Sequence, residues 1–351
     1  MTLPPRGKAR RFALGATVSA LLVAGVAILT TGPLASVAPA PIPRAPIVAI
    51  PTQTTGLAAT APDGRGAVRP MPAPTGCAHT GTDPVSAQKA LLDAAPGDKV
   101  CITGDLSGWR LRVLYSGTEQ APVQVVGDGE TRVGGIEIEA LNVVVDGFTV
   151  LNAASPEISI KGNNVTLRNT VARNPIRPGS DNVQLAGANI TLSHNTLGEG
   201  SGDGGNASHN GAKANCVDVF TDDNDATAAN HVRIDGNRCE NTAINCLRVV
   251  GDQPDDDADN AEDKGHTADI AFTNNVCQTR GDAAVFADNA QNVTVTGNEV
   301  TTADHAWTFR NHSTGAKISG NTLAPGTRYQ LAMDESSRDG YEGPPSSGDT
   351  P

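Results

Sequence analysis

The stretch "HVRIDGNRCENTAINCLRVVG", residues 231–251, contains two short runs in which apolar and polar side chains alternate. The first run places Val232 and Ile234 on one side of the chain, and the second run does the same with Leu247 and Val249. An alternation with a period of two residues is typical of a β-strand that buries one face. The stretch therefore predicts two short strands that are separated by a bend.

The first half of this stretch recurs along the chain. Successive copies begin 22, 25, 42, 38, 23 and 24 residues apart. A period near 22–25 residues with two longer intervals predicts a solenoid in which some turns carry long insertions. The copies are "NVVVDGFTVLN" from Asn142, "NVTLRNTVARN" from Asn164, "NITLSHNTL" from Asn189, "HVRIDGNRC" from His231, "DIAFTNNVC" from Asp269, "NVTVTGNEV" from Asn292 and "AKISGNTL" from Ala316.

A further short strand is predicted between successive copies, so that each turn of the solenoid has three faces. We therefore expect an all-β protein, a parallel β-helix of about eight coils in which neighbouring layers are stacked ~4.8 Å apart. These further strands are "ISIKG" from Ile158, "VQLAG" from Val183, "CVDVF" from Cys216, "CLRVV" from Cys246, "AAVFA" from Ala283, "AWTF" from Ala306 and "YQLA" from Tyr329.

Asparagine recurs at the bend of five consecutive repeats. Asparagine tolerates the left-handed backbone geometry that bends require, and stacked side-chain amides can form hydrogen bonds from layer to layer. We expect an architectural ladder rather than a catalytic set. Its members are Asn195, Asn237, Asn275, Asn298 and Asn321.

The six cysteines follow the same layers. Four of them occupy equivalent positions in adjacent repeats, and the other two flank the predicted first helix. Adjacent layers bring equivalent Cα atoms within the ~4.4–6.8 Å that a disulfide requires. A zinc site is the less favoured alternative because the chain has no C-x-x-C motif. The predicted disulfides are Cys77–Cys101, Cys216–Cys246 and Cys239–Cys277.

The N-terminal part of the chain differs from the repeats. Four basic residues precede an uncharged run from Phe12 to Gly32, which is typical of an export signal or a membrane anchor. Ten prolines follow in residues 33–76 and predict an extended linker. We therefore expect four parts: a segment 1–32 that engages the membrane or the export machinery, a disordered linker 33–76, a β-helix 77–333 and a disordered tail 334–351.

Charge restricts the class of partner. Residues 77–351 carry 19 basic and 37 acidic side chains, a net charge of −18. Such a surface disfavours nucleic acid and suits an extracytoplasmic protein that attracts divalent cations. We expect a secreted or membrane-tethered monomer.

Residues 83–129, which include "DPVSAQKALLDAAPGDKV" and "SGTEQAP", resemble the opening of exported pectate-lyase-like proteins. The resemblance implies a right-handed β-helix with a short N-terminal capping helix from about Pro84 to Ala94, whose Val85, Leu91 and Leu92 face the core. The superfamily contains polysaccharide lyases, hydrolases, epimerases and non-catalytic surface proteins, so that fold alone does not choose an activity. The "GHG" motif of galacturonan hydrolases and the "DPHD" motif of mannuronan epimerases do not occur.

In family members that act on sugars, the groove lies along one strand face. The outward positions of the further strands are expected to be Ser159, Gln184, Asp218, Arg248, Phe286 or a neighbour, Thr308 and Gln330. A lyase needs a cation for the uronate carboxylate, a base and an acid. Asp218 and Arg248 lie one layer apart in this scheme, and Lys213, Arg310 and His209 are the further catalytic candidates.

Two alternatives stay open for these residues. A hydrolase would use two carboxylates, for which Asp218 with Asp181 or Asp222 are candidates. The structural alternative is an exposed pair between Asp218 and Arg248 that contributes less than ~1 kcal/mol.

Two acidic segments, "TDDND" at 221–225 and "GDQPDDDADNAED" at 251–263, follow strands in adjacent layers. Calcium prefers oxygen-rich, flexible sites of this kind, whereas a solvated acidic loop is the plainer alternative. No other cofactor is indicated, because the Gly-rich segment 198–215 lacks the phosphate-binding spacing. The candidate calcium ligands are Asp222, Asp223, Asp255, Asp257 and Asp259.

The sequence thus indicates an exported β-helix protein that binds or degrades an extracellular or cell-wall polysaccharide. If the protein is an enzyme, β-elimination on an acidic glycan is the favoured reaction. The alternatives are a non-catalytic surface module and a hydrolase of neutral glycans.

Overall fold

The computed structural model describes residues 64–67, 70–154, 156–176, 180–198, 214–221, 228–251, 267–281, 283–302 and 304–345. These residues form one α-helix, α1 (Pro84–Leu92), one short 3-10 helix (Glu335–Ser337) and the following strands: β1 (His79–Gly81), β2 (Lys99–Ile102), β3 (Asp105–Leu106), β4 (Leu111–Val113), β5 (Val123–Val133), β6 (Ile136–Ile138), β7 (Val143–Leu151), β8 (Ile158–Lys161), β9 (Val165–Arg168), β10 (Val171–Arg173), β11 (Val183–Ala186), β12 (Ile190–Ser193), β13 (Thr196–Gly198), β14 (Val217–Phe220), β15 (Asn230–Asp235), β16 (Arg238–Thr242), β17 (Leu247–Val250), β18 (Ala268–Thr273), β19 (Val276–Thr279), β20 (Ala283–Asp288), β21 (Thr294–Thr296), β22 (Glu299–Thr301), β23 (His305–Arg310), β24 (Lys317–Ser319), β25 (Thr322–Leu323) and β26 (Tyr329–Met333).

The strands form three ladders, and the pairings are parallel throughout. The first face contains β1, β2, β5, β7, β9, β12, β15, β18, β21 and β24, and the second face contains β3, β10, β13, β16, β19, β22 and β25 with the second halves of β5 and β7. The third face is a separate sheet of nine strands, in the order β4, β6, β8, β11, β14, β17, β20, β23 and β26. The prediction of a three-faced parallel β-helix is thereby confirmed.

The core lies between the three faces and consists mainly of aliphatic side chains. In β12, for example, Ile190 and Leu192 are fully buried, and the residues between and after them are partly exposed. The fully buried aromatic side chains are few, with Trp307, Phe148, Phe272 and Phe309 the largest. Each buried aliphatic or aromatic side chain contributes about 1.5–3 kcal/mol to folding, so that stability is distributed over all layers.

The asparagine ladder forms as predicted, on the bend between the first and second faces. From Asn237 onward, each side-chain oxygen accepts from the backbone and the side-chain amide of the preceding layer, whereas the Asn195 oxygen accepts from the Thr170 backbone N–H. These bonds satisfy polar groups where the sheet is interrupted. The side-chain bonds are Asn195 Nδ2 to Asn237 Oδ1 (2.9 Å), Asn237 Nδ2 to Asn275 Oδ1 (3.1 Å), Asn275 Nδ2 to Asn298 Oδ1 (3.1 Å) and Asn298 Nδ2 to Asn321 Oδ1 (2.9 Å).

A left-handed backbone residue comes directly before each asparagine of the ladder and turns the chain through the bend. Only asparagine, histidine and glycine fill this position, because most other side chains clash in left-handed geometry. The residues and their φ values are His194 (53°), Gly236 (65°), Asn274 (54°), Gly297 (69°) and Gly320 (63°).

Two of the three predicted disulfides are wrong. Cys77 pairs with Cys101 as expected, but the other bridges are Cys216–Cys239 and Cys246–Cys277, each with a Cα–Cα distance of 5.9 Å. Residues at equivalent positions of adjacent layers, such as Cys239 and Cys277, are in register and point the same way. A bridge needs side chains that point toward each other. Such pairs of side chains come from two different faces. One cysteine lies at the start of a third-face strand, and its partner lies in a second-face strand of the next layer.

Helix α1 begins where the sequence predicts. The Asp83 side chain accepts from the backbone N–H groups of Val85 and Ser86, and Pro84 takes the first helical position. The helix buries Ala87, Ala90 and Leu91, whereas Val85 is 80% exposed and Leu92 is 47% exposed. The expectation that Val85 and Leu92 face the core is therefore wrong, because the small alanines allow closer approach to β1 and β2.

Both segments that flank the repeats make defined contacts where the structure describes them. Gly66 N donates to Gly236 O (2.9 Å) and Met71 N donates to Asp128 O (3.2 Å), so that part of the predicted linker lies along the bend. In the predicted tail, Ile318 N donates to Glu342 O (2.8 Å). Among the described residues, no helix is long and apolar enough to cross a membrane. The predicted signal or anchor, residues 1–32, lies outside them.

Candidate functional site

The outward residues of the third face form a column along the axis of the β-helix. Backbone register places Ser159 beside Gln184, Gln184 beside Asp218, and Asp218 beside Arg248. Phe286 and Thr308 continue the column in β20 and β23, as predicted. In β26, however, Ala332 rather than Gln330 pairs with Thr308, because the strand is shifted by two residues relative to its predicted register.

A second column lines one wall of a cleft over this face. It comes from residues at or just before the starts of the strands, namely Asp181, Asn215, Asn245, Ala283 and His305. The cleft has a volume of about 580 Å³, and its floor carries Asp218, Arg248, Phe286 and Thr308. Both columns run across the strands, so that the cleft follows the axis of the β-helix. Such a trough suits an extended ligand.

Asp218 is the most perturbed carboxyl group of the floor. Its residue is only 7% exposed, and Arg248 Nη1 donates to Asp218 Oδ1 at 2.9 Å. Burial, together with the nearby Asp181 carboxyl, raises the pKa of Asp218 to about 6, although Arg248 acts in the opposite direction. The group can therefore hold or release a proton near neutral pH, which a carboxyl group in water cannot do.

Asp181 lies in the wall and is held by three hydrogen bonds. Its Oδ1 accepts from the backbone N (2.7 Å) and Nδ2 (3.0 Å) of Asn215, and its Oδ2 accepts from Gln184 Nε2 (2.8 Å). Burial raises the pKa of Asp181, and these hydrogen bonds oppose the rise. Because both oxygens are already engaged, Asp181 is a poor partner for Asp218 in a two-carboxylate hydrolase site.

His305 also reaches the cleft, which the sequence reasoning missed. Its Nδ1 lies 2.7 Å from Asp304 Oδ2, and its ring stacks on Tyr329 with centroids 4.9 Å apart. This arrangement fixes the ring and leaves Nε2 as the nitrogen that is not engaged by Asp304. The only signal in the sequence was the adjacent Asp304-His305 pair at the start of a strand of the third face.

Arg310 closes the cleft at the other end of β23. It is exposed, and its guanidinium lies over the Phe286 ring at 5.9 Å from the ring centroid. Arg248 and Arg310 therefore place two guanidinium groups in one cleft, as the sequence predicted. Within the described part of the chain, Arg248 is paired with an aspartate and Arg310 is not.

The remaining candidates lie outside the described residues. These are Lys213 and His209 among the catalytic candidates and Asp222, Asp223, Asp255, Asp257 and Asp259 among the candidate calcium ligands. Within the residues that the structure describes, no cluster of three or more His, Cys, Asp or Glu side chains could hold a metal ion. Of the carboxylates in the cleft, Asp181 accepts three hydrogen bonds and Asp218 is paired with Arg248.

No protein-family model and no curated protein sequence matches the chain. Solved structures do match its fold. They include pectate lyase Pel9A (TM-score 0.52, 11% identity, 77% of this chain and 80% of that one) and a mannuronic acid specific polysaccharide family 6 lyase from human gut microbiota (TM-score 0.53, 12% identity, 72% and 66%).

A third match is a PL6 alginate lyase in complex with a trisaccharide (TM-score 0.50, 14% identity, 73% of this chain and 56% of that one). This chain thus spans less than two thirds of both family 6 lyases. At such identities the likeness concerns the fold alone. The chain has the parallel β-helix fold of the pectate and alginate lyases.

Proposed function

We propose that the protein degrades an acidic extracellular or cell-wall polysaccharide by β-elimination in the cleft of the third face. The observation that carries the proposal is the set of groups in that cleft. It combines two guanidinium groups, an oriented histidine and a carboxyl group whose pKa lies near 6. β-Elimination needs charge neutralisation, a base and an acid.

In the proposed reaction, Arg248 and Arg310 bind the carboxylate of a uronic acid unit and make the adjacent ring proton more acidic. His305 Nε2 takes this proton, while Asp304 holds the Nδ1 side of the ring. The C–H electron pair forms the ring double bond as the bond to the leaving glycosidic oxygen breaks. The His305 imidazolium formed in this way then returns the proton to the leaving oxygen. Asp218 lies three layers from His305, roughly 14 Å at ~4.8 Å a step, and holds Arg248 in the cleft.

Glycoside hydrolysis is the second candidate, because Asp181 and Asp218 line the same cleft and burial raises the pKa of both. Hydrolysis would need one of them to activate water. The three hydrogen bonds to Asp181 oppose that role, so we favour elimination.

The location of the protein supports an extracellular substrate. Its three disulfides indicate an oxidising, extracytoplasmic compartment. We retain residues 1–32 as an export signal or membrane anchor within this proposal. The N-terminal sequence of the mature protein, determined by mass spectrometry, tests that part.

The proposed reaction is tested by incubating the purified protein with polyuronates and with neutral glycans. Elimination produces an unsaturated uronate that absorbs in the ultraviolet, and hydrolysis produces reducing ends alone. We expect unsaturated product from a polyuronate, and a loss of at least about 100-fold in Asp218→Asn and His305→Ala. Arg233→Ala is the matched control, because Arg233 lies on the first face and pairs with Asp235.

Two results would overturn the proposal. The first is the absence of unsaturated product from every polyuronate. The second is activity that survives both Asp218→Asn and His305→Ala, since the reaction would then occur elsewhere on the molecule.

A further inference from the structure

We infer that one end of the cleft carries an anion-binding subsite, in which Arg328, stacked on Tyr329, binds a carboxylate of the acidic glycan away from the cleaved bond. The inference rests on the proposed function for its ligand. It concerns a residue that neither the predicted site nor the proposed reaction uses.

The subsite consists of three side chains in a row. Tyr329 is in register with His305 of the preceding layer, and the two rings are stacked with an interplanar angle of 26°. The Arg328 guanidinium carbon lies 5.0 Å from the Tyr329 ring centroid. Arg328 and Tyr329 therefore extend the wall that contains His305 by one layer.

The backbone fixes this row at the start of β26. The N–H groups of Arg328 and Tyr329 both donate to the Asp304 carbonyl oxygen, at 3.1 Å and 3.0 Å. The Asp304 carboxylate is engaged with His305. One residue therefore orients both the proposed base and the neighbouring subsite.

Arg328 has no ionic partner among the described residues, unlike two other arginines of the third face. Arg248 pairs with Asp218, and Arg112 pairs with Glu137. Among the residues that the structure describes, no carboxylate lies within ion-pair distance of Arg328. A guanidinium that lies on an aromatic ring keeps its N–H groups directed outward, and their fork matches a carboxylate.

The position of Arg328 predicts which ligands it contacts. The layer of β26 lies three steps beyond the layer of Arg248 in β17, or roughly 14 Å at ~4.8 Å a step. A short oligosaccharide that spans Arg248 and His305 would end one layer before Tyr329 and would not reach Arg328, whereas a longer one would. A domain whose net charge is −18 repels an acidic glycan, and the subsite offsets part of this repulsion because it adds an unneutralised cation.

The test compares Arg328→Ala with Arg280→Ala in the full chain, using uronate oligosaccharides of increasing length. Arg280 is a matched control because it is exposed and its side chain donates to a backbone carbonyl, that of Asn241. For long oligosaccharides we expect KM to rise about tenfold in Arg328→Ala with kcat unchanged. Short oligosaccharides and the control should show no change. Arg328→Lys should give an intermediate KM because it keeps the charge but loses the fork.

Equal KM values for Arg328→Ala and the control at every length would overturn the subsite and leave the proposed function intact. A KM that rises by the same factor at all lengths would also overturn it. Retention on immobilised polyuronate separates the two proposals if the wild-type protein forms no product. If the wild type and Arg280→Ala are then retained and Arg328→Ala is not, the result supports the subsite and contradicts the lyase. If the wild-type protein is not retained, the result contradicts both proposals.

Discussion

Replacement of Asn275 by alanine should show how much the asparagine ladder stabilises the fold. Asn275 is fully buried, and its side chain takes part in four hydrogen bonds. Its Oδ1 accepts from the backbone N (2.8 Å) and Nδ2 (3.1 Å) of Asn237, and its Nδ2 donates to Ile234 O (2.9 Å) and Asn298 Oδ1 (3.1 Å). At about 1 kcal/mol for each bond, we expect a loss of about 4 kcal/mol in the free energy of unfolding.

The matched control is Asn321→Ala at the end of the ladder. Asn321 takes part in three such bonds, and its residue is partly exposed. Because water can replace the lost partners, this variant should lose only about 1–2 kcal/mol. Urea denaturation measures the free energy of unfolding of both variants, provided that its slope against urea concentration is the same as in the wild type. A loss below about 1 kcal/mol for Asn275→Ala, or equal losses for the two variants, would refute the reasoning.

Three further predictions concern charge, covalent links and catalysis. Burial raises the pKa of Glu157 to about 8, so the folded state binds the extra proton, and stability should fall by about 4 kcal/mol as pH rises from 4.5 to 8. Thermal melts across this range should show a fall in stability that is smaller by this amount in Glu157→Gln than in the wild type, because Asp218 and Asp181 keep their own contributions. Mass mapping of unreduced peptides should find Cys246 linked to Cys277, and replacing both by alanine should lower the free energy of unfolding by about 3 to 4 kcal/mol. Asp218 holds Arg248 most strongly as a carboxylate, so the initial rate of elimination should rise as pH rises through about 6, and a rate that is constant from pH 5 to 8 would contradict that role.

The fold could be predicted from the sequence because each layer repeats the same constraints. The asparagine of the bend, the left-handed residue before it and the two buried aliphatic residues recur at fixed offsets. A single template therefore locates Asn237 and Asn275 correctly without any knowledge of distant contacts. The same argument predicted the outward column of the third face from Ser159 to Thr308, since register follows from the alternation of buried and exposed residues. It failed in β26, where Ala332 rather than Gln330 pairs with Thr308.

The disulfides and the site were harder to predict, for a common reason. Equivalent positions reveal which residues lie in adjacent layers, but not which faces meet across the interior. Cys246 lies at the start of a third-face strand and reaches Cys277 on the second face. His305 similarly occupies a corner, where its role depends on Asp304 and on Tyr329 in the next layer. Contacts at corners depend on the angle between faces, which the repeat pattern does not contain.

The corrected disulfides have a consequence for proteolysis. Cys216 and Cys239 enclose residues 222–227, and Cys246 and Cys277 enclose residues 252–266. Hydrolysis of one peptide bond in either segment would leave the two fragments joined by a bridge that is buried in the core. Disulfide-bonded proteins are typical of extracytoplasmic compartments, in which proteases also act. This chain can be cut within either segment and remain a single covalent molecule, and the cut becomes visible by mass only after reduction.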